Sequence, residues 1–232
     1  MPSIPSGSQP RQPSSTPRKP RTARQPVVEI APESGSLEVV RAAAEGCTAC
    51  PLWAPATQTV FGEGSETARV MLVGEQPGDQ EDRQGHPFVG PAGQLLDSAL
   101  REAGVDRDAV YVTNAVKHFK FEMRGTRRLH KKPADGEIAA CHQWLDRELK
   151  IVHPELVVAM GASAARSLLG KATSVEANRG RFMPFGEQGR LVITVHPSYL
   201  LRIPDEYKQE AFERFVQDLR MAGDFLRGAM PH

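Results

Sequence analysis

Glu75 and Asp79 are the first side chains of this chain whose type and setting could do chemistry. The run Gly74-Glu75-Gln76-Pro77-Gly78-Asp79 puts two carboxylates on a tight turn whose glycines and proline bring the backbone close to whatever sits there. Acidic Gly/Pro turns of this kind also close strands with no ligand at all. Further on, the glycine-rich stretch 85–93 holds Phe88 just before a helical pattern, where an aromatic ring can stack on a flat ligand such as a base or plug the core. Tyr111-Val112-Thr113-Asn114 ends an apolar run with an amide, a neutral side chain that offers both donor and acceptor to a nucleobase edge. A fourth apolar run, 191–195, delivers His196-Pro197-Ser198. A lone histidine is more often structural than catalytic, but this one directly follows a strand pattern.

The three cysteines, Cys47, Cys50 and Cys141, are too few for a disulfide framework. A close Cys-x-x-Cys in a reducing compartment points instead to metal or redox chemistry. Charge is uneven along the chain although the net is only +1. Residues 1–26 hold five basic and no acidic side chains, whereas the other 206 residues hold 24 basic against 28 acidic groups, a net of −4. Within that acidic body, residues 117–132 carry seven basic side chains (Lys117, Lys120, Arg124, Arg127, Arg128, Lys131, Lys132) against Glu122 alone. Such a local reversal suits an anion, with a polyanion the simplest candidate, and a solvated basic loop is the plain alternative.

These groups need elements to position them. Strand-like runs at 69–73, 109–116, 155–160 and 191–195 alternate with helical patterns at about 92–103, 135–152, 162–169 and 206–226. That alternation predicts a three-layer α/β/α sandwich around a central four-stranded parallel sheet. In such sheets ligands bind beyond the carboxyl ends of the strands, so the loops beginning GEQPGDQED, NAVKHFKF, GASAA and HPSYLLR should surround the site. All but GASAA are crowded with reactive groups. Residues 1–36, with seven prolines and five serines in the first 26, are expected to form a disordered tail, either a loose nucleic-acid-attracting arm or a passive extension. Residues 37–232 are expected to form a single domain. At 232 residues, 40% hydrophobic and 25% charged, the composition is that of a soluble globular protein. No apolar run reaches the ~18–20 residues of a membrane span and none near the start resembles a secretion signal, so the expected compartment is the cytoplasm, beside the nucleoid.

The stretches 74–82 (GEQPGDQED), 85–96 (GHPFVGPAGQLL) and 195–202 (VHPSYLLR) resemble the uracil-DNA glycosylase superfamily, a resemblance that spans about residues 37–225. Family-four members have a cysteine in the loop after the TN-containing strand, where this chain has His118. The run Arg124-Gly125-Thr126-Arg127-Arg128-Leu129-His130 is similar to the basic, His-ended loop of the UdgX subfamily, which also has Gln after the motif Glu, as in Glu75-Gln76. The subfamily loop reads Lys-Arg-Arg-Ile-His. Thr126 therefore replaces a lysine, weakening a phosphate contact, and Leu129 keeps an apolar anchor.

The resemblance implies excision of uracil from DNA, with single-stranded DNA the expected substrate and double-stranded DNA the alternative; a monomer is the default expectation. A [4Fe-4S] cluster on Cys47, Cys50, His118 and Cys141 is implied too. Imidazole can replace thiolate on iron. By spacing alone, zinc on three Cys and one His fits equally, and His142 competes with His118 as the fourth ligand. Implied roles follow residue by residue: Phe88 stacks on uracil, Asn114 reads its edge, the turn from Gln76 to Asp79 closes the pocket, and His196 donates to a uracil carbonyl. The base must leave the stack to reach such a pocket. His130 matches the histidine that attacks C1′ and stays bonded to the abasic DNA, aided by Glu75. Arg127, Arg128, Lys131, Lys132 and Arg202 would hold phosphates. Two other readings stay open: a conventional multiple-turnover glycosylase, and a non-catalytic cluster-containing module that binds nucleic acid.

Overall fold

The predicted strands form as buried apolar runs. In the computed structural model, which describes residues 30–229, they are β1 (Val70–Gly74), β2 (Val110–Asn114), β5 (Leu156–Met160) and β7 (Gly189–Thr194). All five residues of β1 are buried, as they must be in a sheet covered on both faces. Successive side chains serve opposite layers: Met71 and Val73 join one apolar cluster, Val70 and Leu72 the other. The first layer is completed by α1 (Leu37–Glu45), α4 (Asp135–Val152) and α5 (Ala162–Leu169), the second by α3 (Pro91–Glu102) and α8 (Asp205–Leu226).

With a further strand, β6 (Phe182–Phe185), the central sheet has the order β2-β1-β5-β7-β6, in which β1, β2, β5 and β7 are parallel. It is therefore mixed and five-stranded, because β6 adds an antiparallel edge to β7. This strand is short and carries Pro184, a residue that sheets tolerate at their edges, and it left no recognisable alternation in the sequence. The basic segment is not a loop either. Its middle folds as a hairpin of β3 (Phe121–Arg124) and β4 (Arg127–His130), with Phe121 opposite His130 and the left-handed Gly125 in the turn. Both strands are largely exposed and charged, so no apolar pattern announced them.

From β1 the chain crosses to β2 on one side, then returns past β1 to β5 on the other. The crevice between β1 and β5 is thus a topological switch point, the place where such sheets accept ligands. The expected tail lies outside the described residues up to residue 29. Its last part packs on the body: Ala31 is buried, and the amides of Ile30 and Ala31 donate to Gln143 Oε1 at 2.7 and 2.9 Å.

Candidate active site

Beyond the carboxyl ends of the strands lies a cleft of about 310 Å³ lined by Glu75, Gln76, Phe88, Asn114, His130 and His196, among others. A neighbouring cavity of about 470 Å³ shares Glu75, His130 and His196 and runs on to Lys132, Tyr199 and Arg202. Residues from four separate loops and the hairpin therefore meet where the sequence reading placed them.

The register Gly74↔Asn114 brings the ends of β1 and β2 side by side. Any side chain at 74 would collide with the pocket, since a Cβ there would lie 2.4 Å from Asn114 Oδ1 and 2.5 Å from Phe88 Cζ. Phe88 itself has φ of +58°, a left-handed conformation that costs a bulky residue roughly 1–2 kcal/mol and holds its ring in the cleft. Gly93 permits that turn, because a Cβ at 93 would sit 1.8 Å from the Phe88 carbonyl oxygen. Asn114 is 2% exposed, and its Oδ1 has no hydrogen-bond partner. A buried acceptor left bare is costly, so this one awaits a donor from a ligand.

His196 presents the complementary case. Its Nδ1 accepts from the Ser198 amide at 3.2 Å and lies 2.8 Å from Ser198 Oγ, which makes Nε2 the protonated nitrogen. That Nε2 is buried without a partner. Burial pushes the ring pKa down to about 4, against the smaller opposing pull of Glu75, so the imidazole is neutral and donates. One bare acceptor and one bare donor thus line the same cleft.

Across from them, His130 Nε2 lies 3.2 Å from Glu75 Oε1, and the ring leans on Phe119 with centroids 6.2 Å apart. Glu75 Oε2 accepts a short hydrogen bond from Ser163 Oγ. Burial works to raise the Glu75 pKa. The hydrogen bonds from His130 and Ser163 and the nearby imidazoles outweigh it, leaving the carboxyl below its ordinary value. Ser163 belongs to GASAA, the loop that looked least chemical, and no local signal in the sequence marks it.

Several expected site residues are also engaged with the hairpin, two of them, Gln76 and Asp79, while lining the cleft. Gln76 lines the cleft, but its Nε2 donates to the carbonyls of Lys120 (3.2 Å) and Lys131 (3.0 Å) and its Oε1 accepts from the Lys120 amide (3.1 Å), so the side chain clamps the hairpin base. Arg128 is not free for phosphate. Its guanidinium reaches Asp79 Oδ1 at 2.5 Å, Asp82 Oδ2 at 2.6 Å and Thr57 Oγ1 at 3.1 Å, and lies 5.0 Å from the Phe121 ring centroid. Asp79, expected as a catalytic carboxylate, is held by Arg128 and by Arg83 at 3.0 Å; burial favours its neutral form, but these two cations keep its pKa lowered. Lys117, counted among the basic loop, is fully buried, with Nζ 2.5 Å from Glu148 Oε2 and 2.9 Å from the Asn114 carbonyl. Arg127, Lys132 and Arg202 remain exposed, as does Lys131 beside Glu122 at 2.9 Å.

Cys47, Cys50 and Cys141 are all buried in the first apolar layer. Trp144 Nε1 donates to Cys47 Sγ and the Lys117 amide to Cys141 Sγ, each at 3.2 Å, contacts suited to thiolate ligands. Burial raises the Cys50 thiol and pushes Cys141 up to about 12. His118 Nε2 is 2.9 Å from Thr59 Oγ1, whose own proton goes to the Ala44 carbonyl, which leaves Nδ1 as its unprotonated nitrogen. His142 Nδ1 instead faces Ser167 Oγ at 3.3 Å. Among the described residues no three His, Cys, Asp or Glu side chains converge on a single ion.

Residues 61–220 match the uracil DNA glycosylase superfamily. A type-4 uracil-DNA glycosylase of Thermotoga maritima is 37% identical over 192 residues, covering 82% of this chain and 95% of that protein. Proteins of the same description from Sulfurisphaera tokodaii and Saccharolobus solfataricus are 34% identical over 189 residues (77% of this chain, 83% of the relative) and 32% identical over 194 residues (79% and 87%). With this match laid over the very loops that build the cleft, the chain belongs to the uracil DNA glycosylase superfamily.

Proposed function

We propose that this protein excises uracil from DNA and then bonds itself to the abasic sugar through His130. The observation that carries the reading is the bare pair in the cleft: Asn114 Oδ1 to accept from a ring N–H, and His196 Nε2 to donate to a ring carbonyl. Uracil offers both groups on one edge, with Phe88 to stack on its face. Cleavage breaks the C1′–N1 bond and leaves its electron pair on the base, where the His196 N–H stabilises the charge on the carbonyl oxygen. The sugar becomes an oxocarbenium ion, electron-poor at C1′. A His130 nitrogen then forms the new bond to C1′. The imidazole proton passes to Glu75 and from there to the departing uracil anion, so Glu75 ends as the carboxylate it began as and atoms and charge balance over the single turnover. Arg127, Lys131, Lys132 and Arg202 hold phosphates around the two connected cavities, giving affinity that falls as salt rises.

A second reading is favoured by the type-4 description of the relatives: water takes the place of His130 and the enzyme turns over. Incubation with uracil-containing single-stranded DNA followed by a denaturing gel separates the two. A shifted band that survives heat and detergent is expected. Abasic product with free protein would replace self-trapping with ordinary hydrolysis, and unchanged DNA would remove both readings.

We also propose that Cys47, Cys50, Cys141 and His118 hold a [4Fe-4S] cluster, which when bound ties the segment before β1 to the loop after β2 and adds folding energy. The three buried thiols, two of them receiving N–H donors, support the assignment. The purified protein is expected to be brown, with iron and acid-labile sulfide. Zinc without sulfide would overturn the cluster in favour of a single-ion site.

A further inference from the structure

We infer that Ser163 is a positioning residue for the reaction, acting through Glu75 to present one carboxylate oxygen to His130. The inference rests on the glycosylase reading of this cleft. Ser163 is the second residue of α5 and is 1% exposed. Gly161, not Ser163, stands at the helix cap, and the serine hydroxyl is directed out of its own helix to Glu75 Oε2. The two strands flanking the crevice are thereby joined, since Glu75 follows β1 and Ser163 follows β5. With Oε2 occupied, Oε1 is the oxygen left for His130 Nε2 at 3.2 Å. A carboxylate has two equivalent acceptors and free rotation; one buried hydroxyl removes that freedom.

The bond also favours the charged carboxylate, which must be ionised both to stabilise the sugar cation as the base leaves and to accept the imidazole proton afterwards. The groups that face Glu75 are His130 from β4 and His196 ahead of α7 (Pro197–Leu200). Lys132, Arg202 and Glu176 line the same connected cavity. Burial opposes ionisation, so loss of the hydroxyl raises the pH at which Glu75 becomes a carboxylate.

Ser163→Ala and Ser163→Thr, made in the full chain, test this by single-turnover uracil release and adduct formation across a pH series. Alanine near a helix start folds readily. Ser163→Ala is expected to move the acid limb of both profiles up by about one pH unit, an approximately tenfold loss at acid pH, while the alkaline plateau is kept. Ser163→Thr, which keeps a hydroxyl, is expected to restore the limb. An unshifted limb in Ser163→Ala would overturn the inference, as would a loss uniform across pH that threonine fails to rescue. Should the parent protein release uracil without forming an adduct, self-trapping falls, yet the limb of the release profile still decides the role of Ser163.

Discussion

Replacing His130 by alanine is expected to abolish the gel-shifted protein–DNA species completely while uracil release continues within about tenfold of the parent rate, since the stabilisation of the departing base lies elsewhere. The ring sits at the end of β4, exposed and leaning on Phe119, so its removal leaves the core untouched. What disappears is the nitrogen proposed to bond C1′. Water then reaches the cation, and abasic product accumulates. Denaturing gels run beside an assay of free uracil check both halves. Persistence of the band would move the nucleophile to another residue, and loss of release together with the band would give His130 a part in bond cleavage itself.

His196→Ala should act on the other step. Removing the donor proposed to face the developing negative charge is expected to lower the rate of uracil release by about 10²–10³-fold, the usual cost of an oxyanion donor. Its pH behaviour follows from burial. With its pKa held down at about 4, the ring stays neutral through the range where an ordinary histidine gains its proton, so no break attributable to His196 should appear near neutrality. Single-turnover release across that range is the measurement. A rate change under tenfold in the variant would show that the charge on the base is stabilised by other groups.

The parallel strands were legible because each is a short apolar run buried on both faces, and the cleft was legible because parallel topology sends the loops after those runs to one edge. Glu75, Asn114 and His196 therefore came together as expected. The antiparallel edge and the hairpin were not legible, for one is brief and interrupted by Pro184 and the other is mostly charged and half in solvent. Roles that depend on which way a side chain turns were also hidden. Arg128 and Lys117 look like their basic neighbours in sequence, yet one is locked onto Asp79 and Asp82 and the other is buried against Glu148. Ser163 carries no sequence signal, because a hydroxyl in a small-residue loop acquires meaning only from the carboxylate it meets across the crevice.

The residue assigned the bond-forming step rides on a two-stranded ribbon that shares no ladder with the five-stranded sheet. It is fastened at its base by the Gln76 amide and along its length by the Arg128 guanidinium. In the proposed mechanism, recognition of the base and bonding to the sugar therefore fall on different pieces of the fold. The ribbon is nevertheless rooted in the interior, since Phe121 stacks on the buried Phe119 and Arg128 pairs with the buried Asp82, so exchanging residues 121–130 would call for new partners beneath them.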